Sequence, residues 1–273
     1  MADRDAELSA PEAFVLLSLP RYDAAKVLKT GFIGLLAQGV LRLETEDRPG
    51  LIRTRHIPHL KVAENAPQTL PPIAASLVQV VRNAAPDGLM KAIVAQSRRE
   101  FGRTLLGFAQ NRVIPSLVGR GLAEERAKKL LGFIPTRVFA RTAAGETEKI
   151  RLENAMRNAK TIPQYLDSDP AKVAALVLAA GSAILLVDEL RPFYDRLSRA
   201  LSPRDGAGGG FTDGGGLSDG GGLSDGGAGF ASFDFGHVDF SSFDSGAFTS
   251  FDAGFSDAGG DGGGGDSGGS SGC

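Results

Sequence analysis

A change in composition near residue 205 is the feature that most constrains the fold of this chain. Residues Asp205–Cys273 include 11 Asp, nine Phe and long runs of Gly, but no Lys, Arg or Glu. Such a segment cannot bury enough apolar surface to offset the entropy lost when its backbone is ordered. We therefore predict one folded domain over residues 1–204 and a disordered, acidic, low-complexity tail over residues 205–273.

The same boundary separates the charges of the chain. The whole chain has 30 Lys and Arg against 32 Asp and Glu, a net charge of −2. Removing the 11 tail Asp leaves 21 acidic residues (32 − 11), so the folded part has a net charge of +9 (30 − 21). A basic domain predicts an anionic partner, such as a lipid head group, a nucleic acid or the acidic tail itself.

The first part of the chain has the pattern of two helices followed by a hairpin. Ser9 and Glu12 have capping-box spacing at the start of the first helix. Asp23 is the expected N-cap of a second helix that runs to about Gln38, where Gly39 suits the left-handed position after its end. The strands Val40–Glu44 and Leu51–Ile57 are expected to follow, with a turn at Asp47–Gly50. This order is typical of a winged-helix unit.

A related phrase recurs later in the chain. LLAQGVLRLE (Leu35–Glu44) is echoed by LVGRGLAEE (Leu117–Glu125), with Gly39 matching Gly121. A second hairpin is expected after it, with strands Lys129–Phe133 and Arg137–Thr142 and a turn at Ile134–Thr136. The predicted fold class is therefore mostly α with short β-hairpins, built around two winged-helix-like helix–hairpin units.

Five further helices complete the prediction. They are expected near Ile73–Asn83, after Gly88, over Glu146–Asn158 and over Val173–Val187, and Pro192 is expected to start a last short helix. The apolar stretch Val173–Val187 would cover roughly 22 Å as a helix, short of the roughly 30 Å of a hydrocarbon core. We interpret it as a buried helix of the domain, started by Asp169 and Pro170.

No motif for catalysis or metal binding is present. His56 and His59 form an H-x-x-H pair, but a zinc site needs two more ligands and no Cys or acidic cluster is nearby, so a solvated pair is expected. There is no P-loop and no nucleophile elbow. We predict a protein that is not an enzyme and that has no metal or cofactor. The lone Cys273 and the acidic, signal-free start predict a cytoplasmic location.

Three functions fit these observations. The first is binding of anionic lipid at a membrane surface through the basic face. The second is binding of nucleic acid by Arg53 and Arg55 of the first wing, which the apolar second helix makes the less favoured interpretation. The third is protein interaction, with the tail Phe residues as docking points; a simple spacer is the alternative. The tail would equally be able to fold back on the basic body and mask its charge. The oligomeric state is not predicted.

Three phrases of the domain resemble the Golgi phosphoprotein 3 (GPP34) family. They are FIGLLAQGVLRLE (Phe32–Glu44), RVIPSLVGRGLAEERAKKLLGFIPTR (Arg112–Arg137) and AALVLAAG (Ala174–Gly181), and the similarity in order and spacing extends over about residues 8–200. The resemblance implies a mostly helical, peripheral membrane protein. It also implies a basic pocket for phosphoinositide head groups and a hydrophobic hairpin that inserts into the membrane.

The resemblance also implies a set of head-group ligands. Arg112 matches one arginine of the family pocket, whereas Gln110 stands near the position of another. The second-helix arginine of the family falls near Leu28. Lys26 and Lys29 flank that position, and Arg103 and Arg120 would add supporting charge. The family tryptophan is replaced, since Leu19 or Pro20 stands near its position and the chain has no Trp. The Gly-rich tail is not part of the family pattern.

Overall fold

The computed structural model of this chain describes residues 7–48, 55–84, 88–130, 134–194 and 196–197, and the predicted tail lies outside them. The described part is mostly helical, with two small antiparallel sheets of two strands each. The α-helices are α1 (Ala10–Ser18), α2 (Ala24–Ala37), α3 (Pro72–Asn83), α4 (Met90–Phe101), α5 (Leu106–Phe108), α6 (Ile114–Gly119), α7 (Ala143–Ala159) and α8 (Pro170–Ala180). The strands are β1 (Leu41–Arg48), β2 (Arg55–Val62), β3 (Ala123–Leu130) and β4 (Ile134–Arg141).

Helix α2 lies at the centre of the molecule. Of its 14 residues 11 are buried, which explains why its sequence is apolar on nearly every side. Phe32 and Leu28 belong to the larger core, formed with α1, α3, α4 and the α5–α6 region, while Ile33 and Ala37 belong to a second cluster with α7 and α8. The cap predicted at Asp23 is confirmed, because its carboxylate accepts hydrogen bonds from the backbone N of Ala25 and Lys26.

The two helix–hairpin units end their helices in the same way. Gly39 and Gly121 both have positive φ, 65° and 73°. The backbone N of Val40 bonds to the carbonyl of Leu35 and that of Leu122 to the carbonyl of Leu117, at 3.0 and 2.9 Å. These are the six-to-one bonds of a Schellman motif. The repeat seen in the sequence is thus a repeat of local structure.

Both hairpins are longer than predicted. β1 and β2 pair from Leu41 with Val62 to Arg48 with Arg55, so Asp47 belongs to a strand rather than to a turn. In the second hairpin, Leu130 pairs with Ile134, so the turn predicted at Ile134–Thr136 is wrong. The backbone pairing of both hairpins therefore extends into residues that were predicted to form the turns. The predicted segment Leu51–Thr54 lies outside the described residues.

The chain from Leu106 to Gly119 is helical throughout but widens in the middle. Ala109–Val113 forms a π-turn, closed by a bond from the Ile114 backbone N to the Ala109 carbonyl. Pro115 follows and has no amide hydrogen, so the carbonyl four residues before it, that of Asn111, has no α-helical partner. A π-turn at this place accommodates the missing bond.

The predicted helix Val173–Val187 is not one helix and is not fully buried. α8 begins at Pro170 behind the Asp169 cap, as predicted, but ends at Ala180, because Gly181 has positive φ and the chain continues as 3₁₀ turns over Gly181–Leu186 and Asp188–Phe193. Pro192 lies inside the second turn rather than at the start of a helix. Leu178 is 51% exposed, so only one side of α8 packs against the core.

The structure describes one side chain of the predicted histidine pair. His59 is 4% exposed on β2, so the prediction of a solvated pair is wrong for it; the side chain of His56 lies outside the described residues. Among the residues with described side chains, no group of three or more His, Cys, Asp or Glu is arranged to hold a metal ion. Within the described ranges no helix has both the length and the apolar character needed to cross a bilayer.

Candidate functional site

A pocket of about 540 Å³ lies between the two helix–hairpin units. The first turns of α1 and α3 form part of its wall, and α2, the π-turn and α6 complete it. The lining residues on α2 include Gly31, Gly34 and Gln38. Gln38 and Arg120 occupy equivalent helix-end positions in the two units and both line the pocket. The repeated units therefore present their helix ends to one shared cavity.

A buried carboxylate holds one side of the pocket together. Glu12 is 4% exposed. One of its oxygens, Oε2, accepts hydrogen bonds from the backbone N and the hydroxyl of Ser9, at 2.8 and 2.5 Å. Its other oxygen accepts a 2.6 Å bond from the hydroxyl of Ser116 and lies 3.8 Å from Nη1 of Arg120. Glu12 thus links the start of α1 to α6 and balances the charge of Arg120.

Arg120 and Glu7 extend this network. Nη1 of Arg120 donates to the carbonyl of Glu7 at 3.3 Å. The carboxylate of Glu7 accepts a 2.7 Å bond from the backbone N of Ser182, at the start of the 3₁₀ turns after α8. Both acidic side chains that line the pocket are therefore engaged by neighbouring residues.

Arg112 differs from the other charged residues of the lining. Its side chain is exposed, and within the described part of the chain it forms no hydrogen bond or ion pair. It follows that the guanidinium of Arg112 is available to an anion placed in the pocket. The lining also includes the apolar side chains of Leu35, Ile73 and Leu77.

The first turn of α3 also favours an anion in the pocket, although less strongly than Arg112. Its N-cap is Pro71, which supplies no side-chain hydrogen bond, and Pro72 at the first helical position has no amide hydrogen. The N-terminal end of a helix carries a partial positive charge. Since Pro71, Ile73 and Ala74 line the pocket, this end of α3 favours negative charge there.

Tyr22 lies just before α2, with the side chain of Gln110 near its hydroxyl. Burial raises the pKa of Tyr22 above its ordinary value, and the neighbouring Gln110 side chain opposes that change. Gln110 is next to the residues that line the pocket but is not one of them.

The structure brings together two of the five predicted head-group ligands. Arg112 and Arg120 line the same pocket, but Lys26, Lys29 and Arg103 are not among its lining residues. On α2 the pocket face carries Gly31, Gly34, Leu35 and Gln38, and its centre falls between Gly31 and Gln38. At 3.6 residues per turn, Lys26 and Lys29 lie roughly 130° and 170° around the helix from that face. Arg103 is exposed after the end of α4.

The sequence did not predict the bond between Glu12 and Ser116 that links two helices at the site. Glu12 was assigned to a capping box, which accounts for its bond to Ser9. Its bonds to α6 join residues 104 positions apart in the chain, and no local pattern predicts them. Ser116 had no signal of its own, although its match to Gly34 in the repeat would have placed it on the pocket side.

Comparisons with known proteins do not add an identification. No family model matches the chain. No curated protein matches it either. The resemblance to the Golgi phosphoprotein 3 family stays a prediction from its motifs.

Proposed function

We propose that this protein is a non-enzymatic peripheral membrane protein that binds the head group of an anionic phospholipid in the pocket beside Arg112. The observation that carries this proposal is the exposed guanidinium of Arg112 at a cavity of about 540 Å³ whose two acidic side chains, Glu7 and Glu12, are engaged by neighbouring residues. Ligand pockets typically have volumes of about 300–1,000 Å³, with few polar groups in an apolar lining. A phosphate next to Arg112 would gain a charge-assisted, bidentate contact.

Apolar side chains near the pocket support a membrane as the source of this ligand. Pro71, Pro72 and Pro115 line the pocket and are exposed, and Val118, one turn after Pro115 on α6, is 40% exposed. These residues would contact the interfacial region of a bilayer while Arg112 holds the head group. The +9 charge of residues 1–204 would add long-range attraction to an anionic surface.

Vesicle flotation tests the proposal. The wild-type chain is incubated with phosphatidylcholine vesicles, with and without phosphatidylserine or a phosphatidylinositol phosphate, and the bound fraction is measured. We expect binding only to the anionic vesicles. Arg112→Ala should weaken it about tenfold or more, because a hydrogen bond to a charged group contributes about 1.5–3 kcal/mol.

A variant that fills the pocket separates this site from general attraction of charge. Ala74→Phe places a large side chain in the lining of the pocket without changing any charge, and it should weaken binding as Arg112→Ala does. Arg157→Ala, an exposed residue of α7, is the matched control and should bind like the wild type. Equal binding by all four proteins would exclude the pocket as the lipid site.

We also interpret the two helix–hairpin units as winged-helix-like, which keeps nucleic-acid binding as an alternative. The burial of α2 disfavours it, since Lys26 is the one exposed side chain of α2 and a recognition helix must present a polar face to the major groove. The side chains of Arg53 and Arg55 lie outside the described residues. Retention on a DNA duplex at the salt concentration where vesicle binding is lost would favour this alternative.

A further inference from the structure

Basic side chains line the exposed side of α4 and continue beyond its end. Lys91, Arg98, Arg99 and Arg103 form this group, which we name the α4 basic stripe. Lys91 is separated from Arg98 and Arg99 by seven and eight residues, about two helical turns, so the three lie on one side of the helix. The buried side of α4 carries Met90, Ile93, Val94, Ser97 and Phe101.

The stripe has no counter-charge in the described part of the protein. None of its four side chains makes a hydrogen bond or an ion pair with a residue in the described ranges. Glu100, the one acidic residue of α4, lies roughly 160° around the helix from the centre of the stripe. The Nε of Arg98 is buried without a hydrogen-bond partner there. A partly desolvated cation of this kind is stabilised by an anion that binds to it.

The stripe also lies in the segment of the domain with the largest net positive charge. Residues 65–122 contain seven Lys and Arg against two Asp and Glu, a net charge of +5 (7 − 2). Residues 1–64 contain nine of each, a net charge of zero (9 − 9). Residues 123–204 contain 14 Lys and Arg against 10 Asp and Glu, a net charge of +4 (14 − 10) spread over a longer stretch. Several basic side chains elsewhere are held in ion pairs, such as Arg42 with Glu44, Arg141 with Glu146 and Lys160 with Glu189. The segment around α4 therefore has the highest density of net positive charge in the domain.

We propose that the α4 basic stripe binds the acidic tail of the same chain, Asp205–Cys273, in a salt-sensitive intramolecular contact. The tail carries 11 Asp and no Lys or Arg, so none of its charge is neutralised from within. Its contour is up to roughly 230 Å, at 3.3 Å per residue, whereas a domain of this size has a radius of gyration of roughly 17 Å. The tail is thus long enough to reach any side of the domain.

Covalent attachment favours the tail over other anions. A tethered segment acts at an effective concentration in the millimolar range, which a separate partner must exceed to displace it. The proposal does not depend on the lipid site, because Arg112 is not part of the stripe. The contact would lower the net positive charge that the domain presents to anionic surfaces.

Paramagnetic broadening in the full-length chain tests the contact. Cys273 is the only Cys, so a nitroxide can be attached at the end of the tail without any substitution. At low salt we expect the amide signals of α4 to be broadened at least twofold more than those of α7. The difference should disappear as the Debye length falls from about 30 Å at 0.01 M salt to about 10 Å at 0.1 M.

Matched charge variants make the test specific. Arg98→Glu/Arg99→Glu should abolish the broadening of α4, whereas Arg21→Glu/Arg157→Glu, with the same change of net charge at two exposed positions elsewhere, should keep it. As a second measurement, replacing the 11 tail Asp by Asn should shift the α4 amide signals without a nitroxide. Broadening that is uniform over all helices, or lost equally in both double variants, would overturn the proposal. So would broadening seen only between labelled and unlabelled copies in a mixed sample.

Discussion

The buried carboxylate of Glu12 gives the most specific prediction about stability. Replacing it by Ala removes the acceptor of hydrogen bonds from the backbone N of Ser9 and from the hydroxyls of Ser9 and Ser116. It also removes the negative charge beside Arg120. Loss of the capping contact costs about 1 kcal/mol, and leaving buried polar partners unsatisfied costs about 1–3 kcal/mol. We therefore expect Glu12→Ala to lower the free energy of unfolding by about 3 kcal/mol. For a domain of this size, that corresponds to a fall in melting temperature of about 6–12 °C.

Urea unfolding followed by circular dichroism measures this effect. Glu153→Ala is the control, because Glu153 forms an exposed ion pair with Lys149 at 3.6 Å and such pairs contribute about 0.5 kcal/mol or less. Glu12→Gln keeps the volume and should fall between the two, since its amide retains one acceptor but not the charge. If Glu12→Ala unfolds at the same urea concentration as Glu153→Ala, the network that we assign to Glu12 does not stabilise the fold.

Two further predictions concern packing and pH. At Gly145 an added Cβ would lie 1.9 Å from the carbonyl oxygen of Leu122, which accepts a 3.1 Å hydrogen bond from the backbone N of Thr142. Gly145→Ala should therefore lower the free energy of unfolding in urea by about 2 kcal/mol. Gly119→Ala, with open space around its added Cβ, should leave that free energy unchanged, and equal effects of the two variants would contradict this reasoning. Burial raises the pKa of the Tyr194 phenol well above its usual value of about 10. Above about pH 10 the folded chain therefore keeps a proton that the unfolded chain loses. The free energy of unfolding should be unaffected by this group below about pH 10 and should fall above it by about 1.4 kcal/mol per pH unit. Tyr194→Phe should remove that part of the alkaline loss, as measured by unfolding at pH values on both sides of about 10, and an unchanged pH profile would show that Tyr194 is not the group responsible.

Local signals in the sequence predicted the helix ends well. Asp23 and Asp169 cap α2 and α8, and Gly39 and Gly121 end α2 and α6 in matching motifs, because each of these structures depends on a few adjacent residues. The predictions failed where contacts between distant parts of the chain determine which side of a helix is buried. The apolar run of α8 was interpreted as buried on all sides, but its outer positions are mainly Ala, which packs poorly and is tolerated in solvent.

The candidate site was predicted in part for a similar reason. The five predicted ligands were chosen for their charge, but the direction of each side chain around its helix decides which of them share a cavity. Lys29 lies on the side of α2 away from the pocket, whereas the π-turn before Pro115 presents Arg112 to it. A helix register shifted by such a turn is not visible in residue spacing alone.

Titration with a soluble short-chain phosphatidylserine, followed by the amide and Arg side-chain signals of the full-length protein, tests the lipid proposal most directly. We predict saturable shifts at the Nε of Arg112 and at the amides of Ile73 and Ala74, and their loss in Arg112→Ala. Shifts confined to residues outside the pocket, or unchanged in Arg112→Ala, would contradict the proposal that this pocket holds an anionic head group.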